Sequence, residues 1–237
     1  MRLKISGLIL PLIFLLFPPF SHARKNAAVP VVNDVKTAQE TPPPVSSIGD
    51  IAMEDAGFVN LAFPPFPKFY FDMRYATPNN CTKKVIYDFN ACWLRDDAAR
   101  ALVKAYTLLQ KRRPGTTFLF YDCYRPSSYH QKLWDAFPDA RYVAPPAKGS
   151  RHSRGMAVDV TLAGEDGTPL EMPTEFDNFS PRAHADYNGR KISAEAKANR
   201  ELLKQVMVAA GFYYTRTEWW HFDKAGWSKY PITDIKP

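Results

Sequence analysis

Two short segments hold the residues from which a hydrolytic site could be built. In Ser150-Arg151-His152-Ser153-Arg154-Gly155-Met156-Ala157-Val158-Asp159 a histidine in a turn is followed by a carboxylate on the next strand. Downstream, Glu218-Trp219-Trp220-His221 sets a carboxylate three positions before a histidine. Two imidazoles and one carboxylate form an N/O donor set for Zn²⁺ with a fourth position left for water. A carboxylate beside them, outside the ligand set, can take that water's proton. His152, Asp159 and His221 are the candidate ligands on this reading, and Glu218 is the candidate base. A plainer reading stays open on spacing alone, because a histidine in a strand is commonly a packed or surface residue. Spacing also sets a condition. Residues three apart on a regular strand point to opposite faces, so Glu218 and His221 share a site only if a turn or bulge lies between them.

These residues must be held by the elements around them. Leu94, Ala98, Ala101, Leu102, Ala105, Leu108 and Leu109 recur at helical spacing, and Pro114-Gly115 ends that unit. Thr117 to Tyr121 is β-branched and aromatic, which predicts a short buried strand. A second helix starts at Pro126-Ser127 and stops at Pro138. After Gly155, Met156, Val158, Val160 and Leu162 alternate with Ala157, Asp159 and Thr161, a strand with Asp159 on the less apolar face. Ser193 caps a long helix that Gly211 ends, and the aromatic-rich stretch Phe212 to Phe222 reads as strand and turn. Helices and strands do not alternate regularly. The expected class is α+β, with a mainly antiparallel central sheet flanked by helices.

The ends of the chain speak to location. Arg2 and Lys4 precede an almost wholly apolar run from Ile5 to Phe17, followed by Pro18-Pro19 and the small-x-small pattern Ser21-His22-Ala23. Residues 1–23 read as a secretory signal peptide. A membrane anchor is the alternative, but the run is shorter than the ~20 residues a span needs. Residues 24–50 hold Pro30, Pro42, Pro43, Pro44, Ser46 and Gly49 with few large apolar side chains, the composition of a disordered tether. The domain is expected over 51–237. These expectations place the protein outside the cytoplasm, periplasmic or extracellular, with no stable membrane insertion after cleavage. The net charge of +7 suits an anionic surface such as a cell wall. Its basic residues are scattered, without a Lys/Arg run interleaved with aromatics, which argues against nucleic acid.

The pattern Ser-x-His-x-x-Gly-x-Ala-x-Asp followed by Glu-Trp-Trp-His resembles the zinc D-alanyl-D-alanine dipeptidases, part of a wider peptidase group that shares its fold with hedgehog signalling domains. Three further blocks agree in order. They are Phe71-Asp72-Met73-Arg74-Tyr75-Ala76-Thr77 with Asn79-Asn80, Tyr121-Asp122-Cys123-Tyr124-Arg125-Pro126, and Met172-Pro173 with Phe176-Asp177 and Ala183-His184. The likeness spans roughly residues 70 to 230. It implies one zinc ion on His152, Asp159 and His221, Glu218 as catalytic base, and Arg125 facing the scissile carbonyl. It also implies Tyr75 and Asp177 near the substrate amine, Ser150 near its carboxylate, and Asp122 as an orienter behind the site. A salt bridge from Arg125 to Asp122 is an equally simple role for that arginine. His184 matches a family position but is not counted as a ligand. His130, in a helix, reads as a packing or surface residue.

Cysteines mark a departure from the family. Cys123 stands where a glycine is usual, and Cys81 where an aromatic is frequent. For an exported chain, a Cys81–Cys92 disulfide closing a short loop is the expectation, with Cys123 left as a buried thiol, although three cysteines allow three single pairings. Three functions follow from the likeness. The first is hydrolysis of the D-Ala-D-Ala dipeptide in wall-peptide turnover. The second is D,D-carboxypeptidase or endopeptidase action on peptidoglycan stem peptides. The third is a non-catalytic, zinc-stabilised wall-binding domain, against which Glu218 and Arg125 argue.

Overall fold

The computed structural model describes residues 48–237. The expected signal peptide, and all but the last residues of the expected tether, lie outside the described residues. Helix α1 (Ile48–Asp55) begins inside the stretch 24–50. It is followed by β1 (Phe58–Asn60), β2 (Tyr70–Phe71), β3 (Trp93–Arg95), α2 (Asp96–Arg112), β4 (Thr116–Asp122) and α3 (Ser127–Ala136). Strand β5 (Ala157–Gly164), α4 (Ala194–Ala209), β6 (Phe212–Thr215) and β7 (Glu218–Lys224) complete the regular elements. Among the described residues no helix is long and apolar enough to cross a membrane.

The main sheet has five strands in the order β2-β4-β5-β7-β6, and β1 pairs with β3 in a separate two-stranded ribbon. The expected mainly antiparallel sheet needs one correction: it is mixed, because β2 runs parallel to β4. The chain between them contains α2, and a crossover of this kind returns the next strand in the parallel sense. The remaining pairs in that sheet are antiparallel. A second correction concerns Leu94. It fits the helical periodicity but lies in β3, and the helix begins at Asp96.

Local chemistry accounts for the helices that brace this sheet. Helix α2 buries Ala98, Leu102, Ala105 and Leu109, spaced three and four apart on one face. Asp96 and Asp97 sit in its first turn and Lys111 and Arg112 in its last, each complementing the helix dipole. In α4 the Ser193 hydroxyl accepts from the Ala196 amide at 2.9 Å, and Gly211, with φ +98°, ends the unit. Helices α2 and α4 pack together. The core extends from both helices through Phe118, Phe120, Val158, Val160 and Phe222 of the sheet.

The expected Cys81–Cys92 disulfide does not form. Cys92 bonds Cys123, with the two Cα atoms 5.2 Å apart, and Cys81 is free. The reason is tertiary. The Tyr124 amide donates to the Trp93 carbonyl at 3.0 Å, so the chain after β4 runs alongside β3 and sets the neighbouring residues Cys123 and Cys92 face to face. Cys123 is therefore not a thiol, and both half-cystines are buried.

Candidate metal and catalytic site

The register of three strands assembles the centre. Asp159 on β5 lies opposite His221 on β7, and on its other side opposite Asp122 at the end of β4. Directly opposed residues of antiparallel strands project on the same side, so the sheet sets Asp122, Asp159 and His221 in one row. A register shift between Phe120 and Asp122 brings Asp122 into that row. His152 arrives from a one-turn 3-10 helix, His152–Arg154, that Gly155 closes with φ +67°. A side chain at Gly155 would run into the Phe58 ring.

The condition set for Glu218 and His221 is met. Along β6 the pairing steps from Tyr214, opposite Phe222, to Thr215, opposite Glu218. Trp219, Trp220 and His221 thus form an irregularity in β7 that lets residues three apart serve one site. Trp219 and Trp220 are both buried. The Trp219 indole N–H donates to Thr174 Oγ1 at 2.9 Å, and the Trp220 ring packs 5.2 Å from that of Phe176, holding the bulge in place.

One donor atom each from His152, Asp159 and His221 lies within 4.8 Å of the others. Both imidazoles are oriented from behind. His152 Nδ1 is 2.7 Å from the Cys123 carbonyl oxygen, which can only accept, so Nδ1 carries the hydrogen and Nε2 turns to the cluster. His221 Nε2 lies 3.1 Å from Asp223 Oδ1, and its Nδ1 faces Asp159 Oδ1 at 2.9 Å. Outer acceptors of this kind are the usual companions of metal-ligating histidines. Without a cation, burial pulls the His221 pKa down, but the Asp223 and Asp159 carboxylates outweigh it and hold the ring well above its ordinary value. The residues fit a divalent metal: two oriented nitrogens and a carboxylate oxygen converge on one point.

Glu218, Arg125, Tyr75, Asp177 and Ser150 line the same pocket as the cluster, a cavity of about 210 Å³. This is smaller than the ~300–1,000 Å³ of ordinary ligand pockets. Burial pushes the Glu218 carboxyl up to about 8, with His221 and Arg125 opposing and the Asp159 and Asp177 charges adding to the rise. Arg125 is buried, and its Nη2 donates to Asp122 Oδ2 at 2.5 Å while its Nε donates to Tyr87 Oη at 2.9 Å. Tyr87 in turn donates to Asp122 Oδ1 at 2.9 Å. The Arg125–Asp122 salt bridge is real and coexists with a guanidinium that lines the cavity. Ser150 Oγ accepts from the His152 amide at 3.2 Å, holding the entry to the ligand turn.

At the other end of the pocket, Asp177 Oδ2 accepts from the Cys81 amide at 2.8 Å and its Oδ1 from the Tyr75 hydroxyl at 3.3 Å. Burial pushes the Asp177 carboxyl up to about 6. Burial and the Asp177 charge push the Cys81 thiol up to about 12, so it stays protonated. His184 does not line this pocket. Sequence reasoning missed Asp223, Tyr87 and His130. Asp223 was findable, because it lies two residues beyond His221 on one strand and so on the same face. Tyr87 and His130 reach the site only through tertiary packing, and no spacing pointed to them.

An α+β domain that gathers a His/Asp/His cluster and a proton-binding carboxyl in one small pocket defines a metallopeptidase type of centre. The sequence profile of the family described as D-ala-D-ala dipeptidase, Peptidase_M15, matches residues 54–233, and the chain belongs to that family. It is 38% identical over 167 residues to the D-alanyl-D-alanine dipeptidase of Escherichia coli strain K12, covering 70% of this chain and 84% of the relative. Against the D-alanyl-D-alanine dipeptidase of Enterococcus faecium it is 32% identical over 175 residues, 64% of this chain and 83% of the relative. A Streptomyces coelicolor relative of the same name is 30% identical over 172 residues, with 64% and 83% covered.

Proposed function

We propose that the protein is a zinc-dependent dipeptidase that hydrolyses D-Ala-D-Ala to two molecules of D-alanine. The observation that carries this reading is the small pocket itself, with the Asp177 carboxylate and the ligand cluster lining one cavity of about 210 Å³. A free ammonium beside a scissile bond needs an anionic partner at short range, and Asp177 supplies one. Tyr75 closes the same end, and Ser150 offers a hydroxyl to the substrate carboxylate.

His152 Nε2, Asp159 and His221 Nδ1 would hold the ion. When bound, zinc supplies a Lewis acid that lowers the pKa of a water molecule to ~7 and polarises a carbonyl. A bound ion's positive charge would favour the Glu218 carboxylate over its protonated form, and that carboxylate accepts the attacking water's proton as the C–O bond forms. The C–N bond then breaks and Glu218 returns that proton to the leaving nitrogen. Arg125 faces the carbonyl oxygen as negative charge grows there. Its bonds to Tyr87, Asp122 and His130 leave one N–H on each terminal nitrogen for that oxygen.

The buried Cys92–Cys123 bond supports export, since disulfides persist in oxidising compartments. A periplasmic or extracellular enzyme would meet the dipeptide as a product of peptidoglycan turnover. The hedgehog-type architecture implied by the sequence likeness belongs to this same reading. Comparing D-Ala-D-Ala, N-acetyl-D-Ala-D-Ala and a pentapeptide stem on the zinc-loaded protein tests it. The free dipeptide should be cleaved ~10²-fold faster than the acetylated one, because blocking the amine adds bulk and removes the positive charge that would pair with the buried Asp177 carboxylate. Equal rates on the stem peptide would replace the dipeptidase reading with the carboxypeptidase one.

A further inference from the structure

We propose that His130 is a positioning residue for Arg125, fixing the guanidinium edge that faces the scissile carbonyl and tying it to the pocket wall. The proposal rests on the dipeptidase reading for the carbonyl's identity, and on geometry alone for the rest. His130 sits in the first turn of α3 and is 2% exposed, so its ring polar atoms need partners inside the protein. Nε2 is 2.7 Å from the Ala144 carbonyl oxygen. That oxygen can only accept, so Nε2 carries the hydrogen. Nδ1 of a neutral ring then presents a lone pair, and Arg125 Nη1 lies 3.2 Å from it.

The guanidinium is held unequally by its other neighbours. Asp122 takes Nη2 and Nε, and Tyr87 takes Nε. Tyr75 meets the guanidinium through its ring, 5.0 Å from Cζ. Nη1 is held by His130. Without that acceptor the group stays anchored along one edge and can swing about it. A charged imidazole would turn an N–H toward a cation. Burial, with the Arg125 charge adding, holds His130 down to about 4, so the ring remains an acceptor through the neutral range. Ala144 belongs to the segment 140–144 that lines the cavity. One imidazole therefore sets both the arginine and the wall beside it.

The test compares His130→Leu, which removes the acceptor, with His130→Gln, whose amide oxygen can replace it. Zinc content should be unchanged in both. His130→Leu should lower kcat about 10-fold with KM within about 2-fold, and His130→Gln should recover most of the loss. In an Arg125→Lys background, His130→Leu should add less than about 2-fold. Equal losses in the Leu and Gln variants, or an undiminished loss in the lysine background, would overturn the role. An activity-free arm separates this proposal from the dipeptidase reading. In ¹⁵N spectra at neutral pH, His130 should appear as the Nε2–H tautomer, and the Arg125 Nη1 signal should broaden or average in His130→Leu. Should the wild type fail to cleave the dipeptide while these signals behave as stated, the substrate reading fails and the positioning stands. An Nδ1–H or doubly protonated ring, or an unchanged Nη1 signal in the leucine variant, would sink it.

Discussion

The two ends of the pocket are built differently. The metal end stands mostly on the sheet, with Asp159 and His221 paired across β5 and β7, Asp122 closing the row, and Glu218 at the start of β7, while His152 enters from the 3-10 turn His152–Arg154. The Asp177 end is made of loops and short turns. Tyr75 lies in a 3-10 turn, Arg74–Ala76, and Asp177 adopts a left-handed backbone with φ +58°. Asp is among the few side chains that visit this region readily. Its carboxylate is fixed by groups far away in sequence, the Cys81 amide and the Tyr75 hydroxyl. Reacting groups need placement to fractions of an ångström, which packed strands supply, whereas selectivity can be set by loops that vary without disturbing the sheet. Losses at the sheet end should therefore strike chemistry, and losses at the loop end should strike discrimination.

The largest effect that can break this contrast is removal of a ligand. His152→Ala, Asp159→Ala and His221→Ala should each lower bound zinc and bring turnover to background, as read by elemental analysis beside a dipeptide assay. Full zinc in all three purified variants would empty the metal assignment. Next comes Glu218→Gln, which should keep its zinc and lose at least ~10²-fold in kcat, the scale for a positioned acid–base group. Loss of metal instead would make Glu218 a ligand.

Asp177→Asn sharpens the contrast from the other end and should be milder in kcat. It should raise KM for D-Ala-D-Ala by ~10-fold or more and narrow the preference over the acetylated dipeptide. Its pH dependence has a defined sign. With the folded carboxyl near 6, above its ordinary 3.8, Asp177 gains a proton as pH falls through about 6 and loses its charge for the ammonium. The kcat/KM advantage of wild type over Asp177→Asn should shrink below that pH. The same shift favours the folded state below the ordinary pKa and loses that contribution as pH rises through about 6. An advantage that stays flat between pH 5 and 8 would remove Asp177 from amine recognition.

What sequence alone carried is tied to local chemistry and short spacing. The alternation after Gly155 placed Asp159 on a strand, the Ala/Leu periodicity revealed α2, and Ser193 with Gly211 bounded α4, because caps and periodicity act over a few residues. The three candidate ligands and Glu218 were legible as residue types in ordered blocks, and even the need for a bulge before His221 followed from strand geometry. The fold decided the rest through contacts that no spacing encodes. The parallel sense of β2 depends on where a crossover returns. The disulfide went to Cys92–Cys123 because β3 lies beside the chain after β4, although Cys81 is nearer to Cys92 in sequence. Tyr87 and His130 were invisible as parts of the site, since an arginine's acceptors are chosen by packing in three dimensions. Local physics thus wrote the reactive groups into the chain, and long-range packing determined their orientation.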